Sequence, residues 1–87
     1  MSADIAVTLK LYASLGSYLP SSAEKNSAVV TADPGTTIQG LLDAQNIPRE
    51  ACHLVLLNGV FQPLDKRASA TLKDGDALAV WPPVAGG

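Results

Sequence analysis

Charged, cysteine and aromatic residues are all scarce in this 87-residue chain, and each shortage excludes a class of function. Charged residues make up 16% of the chain and its net charge is −2, so we expect no surface that binds nucleic acid or an anionic membrane. The single cysteine, Cys52, excludes an internal disulfide and offers no metal-binding spacing. The few aromatic residues are spaced too irregularly to form a stacking platform for bases.

Long apolar runs and nucleotide-binding motifs are missing as well. No apolar stretch reaches the roughly 18 residues of a membrane span, and the first residues lack the pattern of a signal peptide. No glycine-rich phosphate loop ending in Gly-Lys-Ser/Thr is present, so ATP would have to be bound by a partner. We therefore predict one small cytoplasmic domain with no bound cofactor, no metal and no membrane association.

Hydrophobic residues nevertheless make up 47% of the chain, enough for a small core. Residues 7–12 alternate apolar and polar, which predicts a half-buried strand with Val7, Leu9 and Leu11 facing the core. Residues 14–27 are rich in serine, glycine and proline and predict a loop. Residues 27–32 predict a second strand that ends at the Asp33-Pro34-Gly35 turn.

One convincing helix follows that turn. Thr36 to Gln39 fits a capping box, in which a hydroxyl bonds forward and the glutamine reaches back. Ile38, Leu41 and Leu42 form one apolar face, and Pro48 ends the helix near residue 46. Gly40, inside the helix, is interpreted as allowing close packing on a sheet.

Three strand-forming segments complete the chain. Residues 53–57 are almost continuously apolar and predict a central strand. Asn58-Gly59 is the favoured two-residue hairpin turn, and Pro63 keeps the returning strand short. After the Asp74-Gly75-Asp76 turn, residues 77–81 form the last strand. The predicted fold class is α+β, a roll in which one helix packs on a mixed sheet of four to five strands.

The last residues form a distinct segment. We expect residues 1–81 to be the folded domain and residues 82–87 to be a flexible Gly-Gly tail. Glycine has no Cβ, so Gly86 leaves the α-carboxylate of Gly87 unhindered and able to enter a narrow active site. Four extended residues span about 13 Å, enough to reach into a partner's cleft.

Two other features of the chain are interpreted as structural. Cys52 is interpreted as an apolar filler, because no basic cluster beside it would lower the pKa of its thiol. If Cys52 and His53 both lie on a strand, they point to opposite faces and cannot form a catalytic pair. Lys66-Arg67 is the only basic pair and is interpreted as solvated, with contact to an acidic partner surface as the alternative.

Four segments of the chain are characteristic in combination, namely Pro34-Gly35-Thr36-Thr37, Val55-Leu56-Leu57-Asn58-Gly59, Leu72-Lys73-Asp74-Gly75-Asp76 and Trp81-Pro82-Pro83-Val84-Ala85-Gly86-Gly87. Together they resemble the MoaD/ThiS family of ubiquitin-like sulfur carriers, and most closely its molybdopterin synthase small subunits. The resemblance extends from about residue 6 to residue 87. The family's Leu-Arg pair after the first strand is missing here, where residues 13–17 occupy the matching stretch.

This resemblance implies a β-grasp fold and a protein co-substrate that is not itself an enzyme. A ubiquitin-activating-type adenylyltransferase would use ATP to adenylate Gly87, with Gly86 giving clearance, and sulfur would displace AMP to leave a thiocarboxylate. Two such carriers would serve the large subunit of molybdopterin synthase in a heterotetramer. The residues expected to bind these partners are Phe61, Trp81, Pro82, Pro83, Val84 and Ala85.

Alternatives remain open at this point. The chain could carry sulfur for thiamine or another metabolite, or it could be a ubiquitin-like modifier joined to lysines through Gly87. The partner surface is expected to be apolar, around Phe61, Trp81 and Val84. The alternative for Trp81 is that it faces the core.

Overall fold

The computed structural model describes residues 4–20 and 23–83, and these form one five-stranded sheet with two α-helices. Two short 3₁₀ helices, Ala13–Tyr18 and Arg49–Ala51, lie between these elements. The strands are β1 (Ile5–Leu11), β2 (Ser27–Ala32), β3 (Leu54–Leu57), β4 (Val60–Phe61) and β5 (Ala77–Trp81), and the helices are α1 (Ile38–Ala44) and α2 (Leu64–Arg67).

The sheet is mixed, as predicted, with the strand order β2-β1-β5-β3-β4. β1 and β5 run parallel, and every other neighbouring pair is antiparallel. The prediction that the apolar segment 53–57 is the central strand is wrong, because β5 occupies the middle of the sheet. β3 has only the two-residue β4 outside it, so of its residues only Val55 is fully buried.

The core lies between one face of the sheet and α1. The three β1 residues predicted to face inward, Val7, Leu9 and Leu11, are completely buried, and so are Leu78 and Val80 of β5. Each such side chain contributes about 1.5–3 kcal/mol through its burial. On α1 the predicted apolar face is confirmed, since Ile38, Leu41 and Leu42 are all buried in the same cluster.

The start of α1 differs from the predicted capping box. Thr37 is the N-cap, and its hydroxyl accepts a hydrogen bond of 3.0 Å from the N–H of Gly40. The hydroxyl of Thr36 donates instead to the carbonyl of Asp33 at 2.7 Å. The amide of Gln39 donates along the helix to Asp43 rather than back to the cap. Two adjacent threonines made the register ambiguous, and the chain path out of the preceding turn decides it.

Gly40 is not where the helix approaches the sheet. It is exposed, and a Cβ there would meet the threonine side chains of the cap, with Thr37 Oγ1 only 3.2 Å away. At the other end of α1, Asn46 has φ +62° and its N–H donates to Asp43. The N–H of Ile47 donates to the carbonyl of Leu42, which completes a Schellman motif with a buried apolar contact. The helix therefore ends at the predicted place.

The Asp74-Gly75-Asp76 turn joins three parts of the sheet. Asp74 accepts a hydrogen bond from the N–H of Ala6 at 2.7 Å, at the start of β1. Asp76 accepts from the side chain of Asn58, in the β3–β4 hairpin, and from the N–H of Lys73. The Asn58-Gly59 hairpin turn is confirmed, with both residues at positive φ. These acidic turn residues are therefore used in holding the strands in register.

α2 was not predicted, because its four residues are too few to produce a helical apolar pattern. The 3₁₀ helix at Ala13–Tyr18 likewise replaces part of a predicted loop, and it places Leu15 in the core. Across residues 4–20 and 23–83, no helix has the length and apolar character needed to cross a bilayer.

Candidate functional site

The face of the sheet opposite α1, which we call the open face, is largely apolar. It is formed by the strand residues that alternate with the buried ones. Phe61 is paired with Leu56, and Trp81 with Leu54, so both aromatic rings lie on this face. Phe61 is 55% exposed. Lys10 is the one charged residue among its outward-facing strand positions, which are Ala6, Thr8, Lys10, Ser27, Val29, Thr31, Leu54, Leu56, Phe61, Ala77, Ala79 and Trp81.

Trp81 is stacked on Tyr12 at the end of this face. The ring centroids are 4.4 Å apart and the planes differ by 6°. The parallel pairing of β1 and β5 places Leu11 beside Val80, so Tyr12 and Trp81, which follow these two residues, also lie side by side. Stacking of this kind contributes about 0.5–1.5 kcal/mol beyond the buried area. The alternative in which Trp81 faces the core is therefore wrong: the ring is half-buried on the open face.

An apolar cavity of about 450 Å³ lies against Trp81. It is bounded on one side by Trp81 and the two prolines after β5, and on the other by the first turn of the 3₁₀ helix. A cavity of this size and character can receive apolar groups of a binding partner. The lining residues are Ala13, Ser14, His53, Leu54, Trp81, Pro82 and Pro83.

Arg67 is a buried charged residue that holds the backbone of Cys52 and His53 next to this cavity. It is only 2% exposed, which corrects the interpretation of Lys66-Arg67 as a solvated pair: only Lys66 is exposed. Its guanidinium donates to three backbone carbonyls, those of Cys52 at 2.7 Å, Gln62 at 3.1 Å and His53 at 3.2 Å. Burial lowers the pKa of Arg67 from its usual value, but an arginine in a protein stays protonated.

Through His53, the hydrogen bonds of Arg67 connect to Trp81, the last residue of β5. The N–H of His53, whose carbonyl Arg67 binds, donates to the carbonyl of Trp81 at 3.0 Å. The same guanidinium binds the chain at Gln62, just after β4. Arg67 thus fixes the backbone on which both Trp81 and one wall of the cavity depend.

Cys52 and His53 lie on opposite sides of this segment, so they form no catalytic pair. Neither belongs to β3, but Cys52 is 4% exposed and packs in the core, whereas His53 is exposed. The thiol lies 3.6 Å from the carbonyl of Pro48, to which it donates, and burial raises the pKa of that thiol. A protonated, buried thiol is a poor nucleophile, which agrees with the predicted packing role.

Within the described parts of the chain, no group of three or more histidine, cysteine, aspartate or glutamate side chains is arranged to hold a metal ion. What the site offers is an apolar surface, an apolar cavity and a rigid strand end from which the last residues continue.

Comparison with known proteins places the chain in a family. The ThiS family model matches residues 18–87, most of the chain. The chain belongs to the ThiS family. Its fold is the ubiquitin-like β-grasp. The family consists of small sulfur-carrier proteins, which are not themselves enzymes. A search of curated proteins by sequence found no significant match.

Solved structures with the same fold include proteins of several descriptions. The HVO 2177 protein of Haloferax volcanii is 26% identical, with a TM-score of 0.70 over 97% of this chain and 88% of that one. Small archaeal modifier protein 1 of the same organism is 23% identical, with a TM-score of 0.66 over 92% and 99%. A chain from the complex of molybdopterin-converting factor subunits 1 and 2 of Helicobacter pylori is 19% identical, with a TM-score of 0.59 over 95% and 100%.

For this ThiS-family protein, the structure brings four of the predicted site residues to the open face or its edge. Phe61 and Trp81 lie on the face itself, while Pro82 and Pro83 line the cavity at its end. Their binding to partners stays a prediction. The remaining predicted residues, Val84, Ala85, Gly86 and Gly87, lie outside the described residues, as does most of the predicted flexible tail.

Two residues important to this ThiS-family site were missed from the sequence. Tyr12 was noticed only as an isolated aromatic residue, because its contact with Trp81 joins the two ends of the chain through a parallel strand pair. Arg67 was missed because a basic pair in a short polar segment usually lies in solvent. The one sequence signal for Tyr12 was its position as the last residue of the predicted strand 7–12.

Proposed function

We propose that this protein is a sulfur carrier for molybdopterin synthesis, in which the C-terminal carboxylate of Gly87 is converted to a thiocarboxylate. The single observation that carries the proposal is the sequence Trp81–Gly87, which resembles the ends of molybdopterin synthase small subunits. It continues directly from the central strand of a ThiS-family fold. The apolar open face beside that strand end supports it, since a carrier must dock on partners that perform the chemistry.

The proposed chemistry needs no catalytic side chain in the carrier. In an ATP-dependent adenylyltransferase partner, the Gly87 carboxylate would attack the α-phosphorus of ATP and release pyrophosphate. A sulfur nucleophile would then attack the carbonyl carbon, and AMP would leave. Adenylation is required because a carboxylate is a poor electrophile at neutral pH, whereas AMP is a good leaving group. ATP is bound by the partner, and the carrier itself holds no cofactor.

Docking is proposed to use the open face. Phe61 and Trp81 would be the aromatic anchors, and the cavity beside Trp81 would receive an apolar side chain of the partner. Pro82 and Pro83 have fixed φ angles and so restrict the backbone where it leaves β5. The same face would serve the activating enzyme and, in turn, the large subunit of molybdopterin synthase, both in the cytoplasm.

A second candidate function is conjugation to lysines. What supports it is that this chain shares its fold with a small archaeal modifier protein. Carriage of sulfur for thiamine or another metabolite is the third, since the matching family is named for ThiS. All three functions use the same carboxylate and differ in its acceptor.

Intact mass spectrometry of the protein isolated from its native cells tests the proposal. Replacement of one oxygen by sulfur adds about 16 Da, and tandem fragmentation should place that mass on Gly87. Deletion of Gly87 should abolish the added mass and molybdenum-cofactor synthesis without destabilising the domain, because the terminus lies beyond the last strand. Adding one residue before Met1 is the matched control and should change neither.

The alternatives give different products in the same experiment. Lys73 is the last basic residue of the chain, so trypsin would leave residues 74–87 attached to any conjugated lysine. Such branched peptides without a thiocarboxylate would favour the modifier function. Restored cofactor synthesis in cells carrying only the Gly87-deleted protein would refute the carrier proposal altogether.

A further inference from the structure

The outer edge of β2 leaves two residues with backbone groups that no neighbouring strand pairs. β2 is an edge strand of the described sheet. The N–H of Leu11 donates to the carbonyl of Asn26, and opposed pairs in an antiparallel ladder alternate between bonded and non-bonded. Residues 28, 30 and 32 therefore bond to β1, while residues 27, 29 and 31 direct their N–H and C=O groups outward. Ser27 exchanges two hydrogen bonds with Glu24, so Val29 and Thr31 are the two residues whose outward backbone groups have no backbone partner within residues 4–20 and 23–83.

This edge lacks the features that usually prevent strand pairing. Ser27–Ala32 contains no charged residue and no proline, and it is rich in β-branched residues. Val29 is 66% exposed. An edge of this kind is a template for one more strand, to which Val29 and Thr31 can contribute four backbone hydrogen bonds.

A groove runs beside the same edge. A cavity of about 300 Å³ lies between the last residues of β2 and α1, and Ala32, Leu41 and Ala44 contribute to its walls. Alternate side chains of an added strand point to opposite faces of a sheet. The residues of that strand between those opposite Val29 and Thr31 would point to the helix side, into this groove.

The charge at one end of the groove selects the occupant. Asp4 and Asp33 both line the cavity, and they lie together because Ile5 is paired with Ala32. The one ion pair within the described residues joins Arg49 to Asp43, so neither of these two carboxylates has a cationic side-chain partner among them. A segment that brings a lysine or arginine to this end is electrostatically complementary, while an acidic segment would be repelled.

We propose that the β2 edge and the groove beside it form a second protein-binding site, which takes an extended segment of another protein. That segment has small apolar or β-branched residues at alternate positions and a basic residue at one end. It adds a sixth strand to the sheet by pairing with Val29 and Thr31. The site lies at the opposite edge of the sheet from β4 and needs no chemistry at Gly87, so it is independent of the proposed sulfur-carrier function.

The test uses a synthetic capped octapeptide of alternating valine and threonine with two lysines at one end, titrated into the full chain. We expect saturable shifts of the Val29 and Thr31 amide resonances and slower hydrogen exchange at both. A peptide with N-methylated backbone amides cannot donate to the edge and should not bind. Replacing its lysines by glutamines should weaken binding by about fivefold at low salt, the order expected for exposed ion pairs.

A pair of protein variants distinguishes strand pairing at the β2 edge from nonspecific binding of the peptide. Val29→Pro removes an N–H that faces away from β1, so the existing ladder is kept and binding should fall at least tenfold. Val29→Thr keeps that N–H and should bind as the natural protein does. The N-methylated peptide keeps the test valid if Val29→Pro fails to fold.

Four results would overturn the proposal. One is the absence of saturable shifts at Val29 and Thr31, and another is equal binding of the N-methylated peptide. The third is a set of shifts centred on Trp81, which would place the peptide on the open face. Concentration-dependent broadening at Val29 and Thr31 without peptide would show that a second copy of this chain occupies the edge, and would refute the proposed occupant.

Discussion

Replacing Arg67 by methionine should destabilise the whole domain far more than the loss of an ordinary surface arginine. Methionine keeps much of the apolar stem but removes every donor, and the carbonyls of Cys52, Gln62 and His53 lose their partner together. A buried acceptor left without a partner costs about 1–3 kcal/mol, and a hydrogen bond to a charged group contributes about 1.5–3 kcal/mol. Because the three losses occur at one site and are not additive, we expect a total of about 4 kcal/mol.

That loss is large for a domain of this size. Small domains have a free energy of unfolding of about 5–15 kcal/mol, so roughly a quarter or more of the stability should disappear. At about 4–8 °C per kcal/mol, the melting temperature should fall by about 16–32 °C. The effect should extend to the root of the C-terminal segment, where the N–H of His53 donates to Trp81.

Urea unfolding measures this directly, because Trp81 is the only tryptophan and reports on its own site, while far-UV circular dichroism reports on the whole fold. Lys66→Met is the matched control, an exposed basic neighbour whose replacement should change stability by less than about 0.5 kcal/mol. Arg67→Lys, which keeps the charge but not the fork of donors, should fall between them. If Arg67→Met loses less than about 1 kcal/mol, the three hydrogen bonds do not have the role assigned to them.

Three further changes test other parts of the structure. Trp81→Ala should remain folded, with about 1–3 kcal/mol less stability from the lost stacking on Tyr12, yet bind each proposed partner about 30-fold more weakly; unchanged affinity in titration calorimetry would move the docking surface elsewhere. Cys52→Ala should retain sulfur transfer at a cost of about 1 kcal/mol. Burial raises the pKa of the Cys52 thiol above its unfolded value, so the contribution of the neutral thiol to folding stability is complete at neutral pH and declines as the pH rises past about 8.5. In urea unfolding the Cys52→Ala variant should lack that decline. An identical decline in both proteins would contradict this assignment to Cys52. Thr37→Ala should cost about 1 kcal/mol as the loss of an N-cap, and Thr36→Ala less than half of that; the reverse order in thermal melts would restore the predicted capping box.

Local sequence patterns determined most of the secondary structure of this protein. Residues 27–32 and 77–81 are strands with the predicted ends, and Asn58-Gly59 forms the predicted hairpin turn, because period-two alternation and positive φ are properties of a few neighbouring residues. The apolar face of α1 follows in the same way from helical spacing. The family was also evident from sequence, since the segment from Trp81 to Gly87 is specific and the family model includes it.

Only the tertiary structure decided which strand is central and how α1 is capped. The apolar run in β3 indicated a buried strand, but burial depends on how many strands pair on each side, and β4 is only two residues long. Thr36 and Thr37 have the same capping chemistry, so the path of the chain out of the Asp33 turn decides which hydroxyl meets the helix.

The candidate site divides in the same way. Phe61, Trp81 and the prolines were identified from sequence, because their types and order are characteristic. Tyr12 and Arg67 acquire their roles from residues distant along the chain: a parallel strand pair brings Tyr12 onto Trp81, and the fold brings three carbonyls around Arg67. Sequence determines what each side chain can donate, accept or bury, whereas its partners are set by long-range strand order, which no local pattern contains.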